Sequence, residues 1–500
     1  MSDLDWIRKW ANYYPEKTAI VDLDTKISYS YKKLHHYSTS IVQYLGKFYK
    51  EGDRIAVLAE QSTFMVALAV ACQRLGLILV PLNYRLSHGE IVVLLKDCAP
   101  SLIIYSELYE SKILLSKDSY WCLSQIAFID ECKKEEVSEN DLKIKFNIRE
   151  DLPLFLFYTS GTTSAPKGVL YTNKMLFWNS LNTSMQLELT SRDCTVNVLP
   201  PYHTSGWNIF VMPLLHNGGT LYMLKKFEAA DVLQALEEYK ATVFIGLPTI
   251  LQMMARDRTF NETDLSSLRY IITGGEFVTK GSIQFWKEKK NVFIRPGYGL
   301  TEAGPSLTSL HPDAALEKSD SIGKPNFYVE LDIRDAQGNS LEDNKIGELC
   351  VSGNIVTSGY WNNSVATKQK IRNGWLYTGD LALRDEDGFY YIKGRIDDMF
   401  ISGGENIYPQ EIEQILNRHP KIEKAIVLPV PHDVWGKVGA AFIKTKEKSL
   451  PIEDIEIYLK DKLARYKYPK HYLFIEEFPT TSVGKISRKE LLSKLEKTLS

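Results

Sequence analysis

From residue 54 to residue 105 the chain alternates short apolar runs with longer stretches of helical periodicity. That rhythm restricts it to a largely parallel sheet covered by helices. Residues 54–60 read as a strand, 64–75 as a helix, 77–80 as a strand, 88–96 as a helix and 102–105 as a strand. The run 64–82 comes nearest to a membrane span. Gln73 and Arg74 stand at its centre and Gly76 and Pro81 interrupt it, and a central arginine costs about 2.5–3.5 kcal/mol on insertion. A helix feeding a strand is the better reading.

The alternation continues beyond residue 150. The charged stretch 133–151 reads as a surface connection, followed by a strand at 153–158 and further elements at 220–224, 232–239, 242–246 and 270–273. Between residues 321 and 394 the texture changes to short alternating runs such as 328–334 and 347–351, separated by turn signals (Gln337-Gly338-Asn339, Asp387-Gly388). This pattern predicts a small antiparallel or barrel-like subdomain. After Arg395 the expectation is compact α+β, with helices at 409–418, 452–463 and 488–499 and strands at 425–429, 440–444 and 473–476. The fold class is therefore α/β. A large N-terminal domain of parallel-rich sheets flanked by helices also holds the barrel-like subdomain, and a C-terminal α+β domain follows.

Composition removes several function classes. Five hundred residues exceed what one core organises. Sixty Lys plus Arg against sixty-two Asp plus Glu leave a net charge of -2, which gives none of the uniform basicity of a general nucleic-acid binder. The six cysteines (72, 98, 122, 132, 194, 350) form no CxxC pair. The N-terminus, MSDLDWIRKWANYYPEK, is acidic where a secretory leader is basic and then apolar. The expectation from both features is a reducing, cytoplasmic setting.

The chemistry-bearing residues come in short clusters. Tyr158-Thr-Ser-Gly-Thr-Thr-Ser-Ala-Pro-Lys-Gly168 follows an apolar strand and offers hydroxyls, small residues and one lysine. Successive backbone N–H groups in such a turn make an anion-binding nest, and Lys167 adds positive charge. A Walker A loop is excluded, because GxxxxGK[ST] opening a helix is absent here. Taken singly the other clusters are weak: Gly297-Tyr-Gly-Leu-Thr-Glu-Ala-Gly304, Tyr377-Thr-Gly-Asp380, Gly394-Arg-Ile-Asp-Asp398 and Pro479-Thr-Thr-Ser-Val-Gly-Lys-Ile486 each resemble ordinary solvated turns.

Together, in this order and across nearly the whole chain, they resemble the adenylate-forming superfamily of acyl-CoA synthetases, adenylation domains and beetle luciferases. The phosphate loop departs at Ser164, where glycine is usual, and Val483 replaces a Ser or Thr in the C-terminal loop. The resemblance implies that Thr159, Ser160, Gly161, Thr162, Thr163 and Lys167 hold phosphate. By the same likeness Gly275, Glu276, Gly297, Tyr298 and Gly299 frame the adenine, and Thr301 contacts the α-phosphate. Glu302, with Thr162, ligates Mg²⁺, a hard ion suited to one or two carboxylates plus phosphate oxygens. Asp380 accepts from the ribose hydroxyls, and Arg395 lies near ribose and phosphate. Asp397 is the hinge between an N-terminal domain at 1–396 and a mobile one at 397–500. Lys485 is the catalytic lysine, and Gly403 and Gly404 let backbone approach a pantetheine arm.

The implied reaction has two steps: a carboxylate displaces pyrophosphate from ATP, and a thiol then attacks the acyl-adenylate. The likeness also points to an acid pocket at Leu199-Pro-Pro-Tyr-His-Thr-Ser-Gly-Trp207, with Gly246 and Gly274 at strand ends. His203 stands there without an acidic neighbour in the segment, which disfavours an amino acid substrate. Trp207, Phe244, Ile245 and Ile272 make the surroundings apolar, although strand periodicity alone assigns most of them to the core. The leading expectation is an acyl-CoA ligase for a medium- or long-chain fatty acid or an aryl acid such as o-succinylbenzoate, using ATP, Mg²⁺ and coenzyme A. The alternative is an acyl-AMP ligase that loads a carrier protein. A homodimer is compatible with either. A non-catalytic nucleotide-binding protein is disfavoured by the intact Lys485, Glu302, Asp380 and Arg395, and luciferase-type oxidation is demanded by no residue.

Overall fold

A computed structural model describes residues 3–159, 166–275, 278–402, 405–446, 450–460, 462–480 and 486–499. The chain divides into two compact units. The first comprises Met1–Ser319, Gly323–Glu330 and Val351–Leu376; the second comprises Asp320–Ile322, Leu331–Cys350 and Tyr377–Ser500.

The first unit is organised by three sheets. A six-stranded sheet runs in the order Cys122–Ser124, Leu102–Tyr105, Arg54–Leu58, Ile78–Pro81, Pro153–Thr159, Lys167–Thr172, parallel except for the last pair. Its strands read as unbroken apolar runs because both faces are covered. Ile55, Val57, Leu79, Ile104, Phe155 and Phe157 enter one core, while Ala56, Leu58, Val80, Ile103 and Leu156 enter the other. The helix Thr63–Leu75 is buried along almost its whole length. Ser62 caps it by accepting from the Met65 N–H, and Gly76 ends it at φ 67°, a left-handed conformation in which a Cβ is strained.

The second sheet places Val243–Ile245, Tyr270–Thr273 and Phe293–Leu300 in parallel, then Gly304–Ser309 and Lys324–Pro325 antiparallel. The third orders Ile27–Ser30, Thr18–Asp22, Thr220–Met223 and Cys194–Asn197. The expected surface connection at 133–151 carries a short helix, Glu139–Lys143, fixed by a reciprocal capping box between Ser138 and Asp141. Among the described residues, no helix is long and apolar enough to cross a membrane.

In the second unit residues 380–384 pair antiparallel with Tyr390–Arg395, in a sheet that also takes residues 331–334 and 347–350. A further sheet orders Glu405–Ile407, Phe400–Ser402, Gly436–Thr445 and Ile422–His432, with His471–Phe474 parallel to Gly436–Thr445. Ala425 and Val427 face a core shared with Pro409–Leu416 and Ile452–Leu459. Ile426, Leu428 and Val430 face the opposite core, with Leu491 and Leu495 of Arg488–Leu499. The strand expected at 425–429 extends to Ile422–His432 despite Pro429 and Pro431. It lies at the sheet's edge, where a missing N–H costs no ladder bond.

Candidate functional site

In the first unit the residues singled out by motif gather at the carboxyl ends of strands, the usual place for a ligand in a parallel sheet. Tyr158 and Thr159 end Pro153–Thr159 and pair with Gly168 and Lys167 at the start of the returning strand. Ser160, Gly161, Thr162 and Thr163, together with Ser164, lie outside the described residues. Tyr158 donates its phenol proton to Asp97 at 2.5 Å, and burial raises its pKa.

Phe293–Leu300 and Gly304–Ser309 form a hairpin around a single 3-10 turn, Thr301–Ala303. The hairpin is closed by glycine. A Cβ at Gly299 would stand 2.2 Å from the Pro305 carbonyl carbon, closer than any real contact, and Gly304 has φ 80°. This geometry sets Thr301 and Glu302 at the tip, both half-buried, with Tyr298 on the strand below. Gly274 belongs to the same construction, because its Cβ would meet the Gly297 carbonyl oxygen at 2.7 Å. Gly275 follows at φ 79°, and Glu276 lies outside the described residues.

Glu302 is held from two directions. Its Oε1 accepts from the Tyr360 hydroxyl at 2.8 Å, and its carbonyl oxygen accepts from the Thr357 N–H at 2.8 Å. Tyr360 carries no motif of its own in the sequence. Its only outward sign is the compact Gly359-Tyr-Trp361, which spacing arguments pass over. Among the described residues no group of three or more His, Cys, Asp or Glu side chains is arranged to hold a metal. The single anchored carboxylate of Glu302 fits Mg²⁺, which keeps most of its waters and takes phosphate oxygens for the rest.

The residues expected to form an acid pocket differ in exposure. Trp207 is completely buried; its indole N–H donates to the Pro201 carbonyl at 2.7 Å, and its ring lies 5.0 Å from Phe155. Phe244, Ile245 and Ile272 are likewise core. His203 is half-buried, with its ring 4.7 Å from that of Tyr202. Tyr202 meets Tyr84 edge-on at 5.1 Å, and Tyr84 stacks on Tyr109 at 5.1 Å, so His203 sits beside an aromatic cluster. Gly246 is buried where a Cβ would strike Leu251 at 2.7 Å.

In the second unit Asp380 and Arg395 are cross-strand partners, and Arg395 Nη1 lies 3.0 Å from Asp380 Oδ1. Asp380 is largely buried while Arg395 is 40% exposed along its side chain, so the pair offers a held carboxylate beside an accessible guanidinium. Around it, Thr378 donates to the Leu349 carbonyl at 2.8 Å and the Gly379 N–H donates to Glu348 at 2.8 Å. Asp397 is exposed within the 3-10 turn Ile396–Asp398, and its neighbour Asp398 pairs with Arg488 at 2.5 Å. Phe400–Ser402 and Glu405–Ile407 pair antiparallel; Gly403 and Gly404 between them lie outside the described residues, as do Lys485 and Val483.

Residues 7–361 match the family described as AMP-binding enzyme, and residues 411–485 match the AMP-binding enzyme C-terminal domain. The 2-succinylbenzoate–CoA ligase of Oceanobacillus iheyensis is 34% identical over 97% of this chain and 98% of its own length. A feruloyl-CoA synthase of Amycolatopsis is 32% identical over 88% of this chain and 89% of its own. Among solved structures, the o-succinylbenzoate coenzyme A synthetase of Bacillus subtilis in complex with ATP and magnesium ion superposes with a TM-score of 0.86. It is 29% identical and covers 98% of this chain and 99% of its own.

Proposed function

The chain belongs to the AMP-binding enzyme family, and from that premise we propose that it is an AMP-forming carboxylate–CoA ligase acting on an aryl acid. The observation that carries this reading is likeness to a CoA ligase along 97% of the chain and 98% of that relative. Both named relatives act on acids that bear an aromatic ring, and the aromatic cluster beside His203 suits such a ring. A fatty acid is the second class in the same activity. The acceptor is coenzyme A, and a carrier protein is the alternative that the assays below separate from it. A cytoplasmic setting and a homodimer are compatible with the reading and form no part of its support.

In the first step a carboxylate oxygen of the substrate attacks the α-phosphorus of ATP. The bond to the bridging oxygen breaks, and pyrophosphate leaves with its electron pair. Lys485 stabilises the charge that develops on the α-phosphoryl oxygens, and Thr301 donates to the same group. The loop 159–163 with Lys167 cradles the departing phosphates. Asp380 accepts from the ribose hydroxyls and Tyr298 lies against the adenine. Glu302 and Thr162 hold Mg²⁺, which neutralises phosphate charge when bound. In the second step the thiolate of CoA attacks the acyl carbon and AMP leaves. The glycines at 403 and 404 admit the pantetheine arm. The functional boundary proposed at Ile396/Asp397 falls in the interval between the two matched family segments.

The adenylation half is tested without CoA. Labelled pyrophosphate should exchange into ATP when an aryl acid of the right shape is supplied together with Mg²⁺. Failure of every aryl and fatty acid in a broad panel to support exchange would remove the reading.

A further inference from the structure

The segment from Thr357 to Trp361 matches none of the motifs, yet it ties the strand returning from the phosphate loop to the turn that carries Glu302. Thr357 donates its hydroxyl to the Leu170 carbonyl at 2.6 Å and its N–H to the Glu302 carbonyl at 2.8 Å. Leu170 N–H donates to the Gly359 carbonyl at 3.1 Å, and Trp361 N–H to the Gly168 carbonyl at 2.7 Å. Tyr360, only 6% exposed, is fixed at the centre of these ties. From there its hydroxyl reaches Glu302 Oε1 at 2.8 Å, and the Lys167 ammonium lies 5.7 Å from its ring centroid.

We propose that Tyr360 is a positioning residue: it presets the Glu302 carboxylate for the divalent cation of the ATP complex while its ring seats Lys167. The proposal rests on the reading of Glu302 as the Mg²⁺ ligand given above. A hydrogen bond to a carboxylate is charge-assisted. It engages one lone pair on one oxygen and leaves the other oxygen for the cation. Freezing the rotamer before binding lowers the ordering cost paid when the cation arrives. A phenol does this without adding charge, whereas a lysine or arginine in its place would repel the metal. Its ring face also attracts a cation, giving Lys167 a resting place other than the Glu302 carboxylate.

The test is Tyr360→Phe, read by Mn²⁺ standing in for Mg²⁺. Mn²⁺ binding is followed by electron paramagnetic resonance in the presence of the α,β-methylene analogue of ATP. Loss of one hydrogen bond to a charged group should weaken Mn²⁺ binding about tenfold. Affinity for the analogue without metal should hold, as should the melting temperature. The Mg²⁺ concentration for half-maximal pyrophosphate exchange should rise in proportion, with the KM for the acid unchanged. Glu302→Gln separates the two levels of the argument. If Glu302→Gln weakens Mn²⁺ binding and Tyr360→Phe does not, the positioning role is overturned and the ligand assignment stands. If Glu302→Gln changes nothing, both fall. Equal loss of metal-free analogue binding in Tyr360→Phe would mark a merely structural role and also overturn the proposal. Should Tyr360→Phe not fold, Tyr360→His, whose shorter ring leaves the carboxylate unheld, is read in the same way.

Discussion

In the proposed reaction single side chains divide into those that carry charge to the reacting groups and those that hold the carriers in place. In that reaction Lys485 is of the first kind. Replacing it with alanine removes one donor aimed at the developing phosphoryl charge, so acid-dependent pyrophosphate exchange should drop by about 10²–10³. Exchange at the wild-type rate in Lys485→Ala would remove that lysine from the mechanism. The turns that carry Glu302, Asp380 and Arg395 were legible from sequence because glycines stand beside them, at 299 and 304 and at 379 and 394. Tyr360 was not legible. Its partner stands 58 residues away, and a lone aromatic has no spacing of its own until two segments meet. Trp207 marks a different limit of the sequence. Apolar character alone does not distinguish a ring that lines a pocket from one buried against Phe155.

Three helical segments of the first unit meet at a buried polar junction. Asp5 caps Trp6–Tyr13 and pairs with Arg74 of Thr63–Leu75 at 2.8 Å. Arg74 also donates to His35 Nδ1, on Tyr31–Leu45, at 2.8 Å. Because Nδ1 accepts, the proton sits on Nε2 and is given to the Leu142 carbonyl at 3.0 Å. Burial first, and the Arg74 charge second, push the His35 pKa down to about 4. The unfolded chain takes up this proton near the ordinary value of 6.5; the folded chain resists until about 4. Stability is therefore complete above pH 6.5 and lost as pH falls toward 4, at about 1.4 kcal/mol per pH unit. Between pH 7.5 and 5.0 the wild type should lose about 2 kcal/mol more unfolding free energy than His35→Gln. Denaturant titrations at the two pH values measure it, and equal losses would contradict the junction described here.

Element legibility followed burial. The helix Thr63–Leu75 and the strand Leu102–Tyr105 were readable because two covered faces give unbroken apolar runs. The hairpin Phe293–Leu300 with Gly304–Ser309 was hidden. Pro296, Gly297, Gly299 and Pro305 suppress its strand character, and at Gly297 and Gly299 the hairpin closes too tightly for a side chain. Two of the residues that concealed the element, Gly297 and Gly299, are thus among the candidate site residues.

At the scale of the molecule, a near-zero net charge of -2 gains meaning from the anionic substrates proposed for it. In the proposed reaction the positive charge needed for ATP and CoA comes from a few residues, Lys167, Arg395 and Lys485, rather than from a uniformly basic surface. The large α/β fold and the order of motifs were readable across the whole length, because phosphate and nucleotide chemistry demands particular residue types at fixed turns. Acid specificity was not, because a pocket wall and a core share one apolar vocabulary. The most direct test of the central claim supplies purified protein with ATP, Mg²⁺, CoA and a panel of aryl and fatty acids, and follows AMP and thioester by mass spectrometry. The expected result is one acyl-CoA formed per AMP released, dependent on both the acid and CoA, with an aryl acid preferred. AMP formation that never yields an acyl-CoA, or transfer only to a carrier protein's phosphopantetheine, would contradict it.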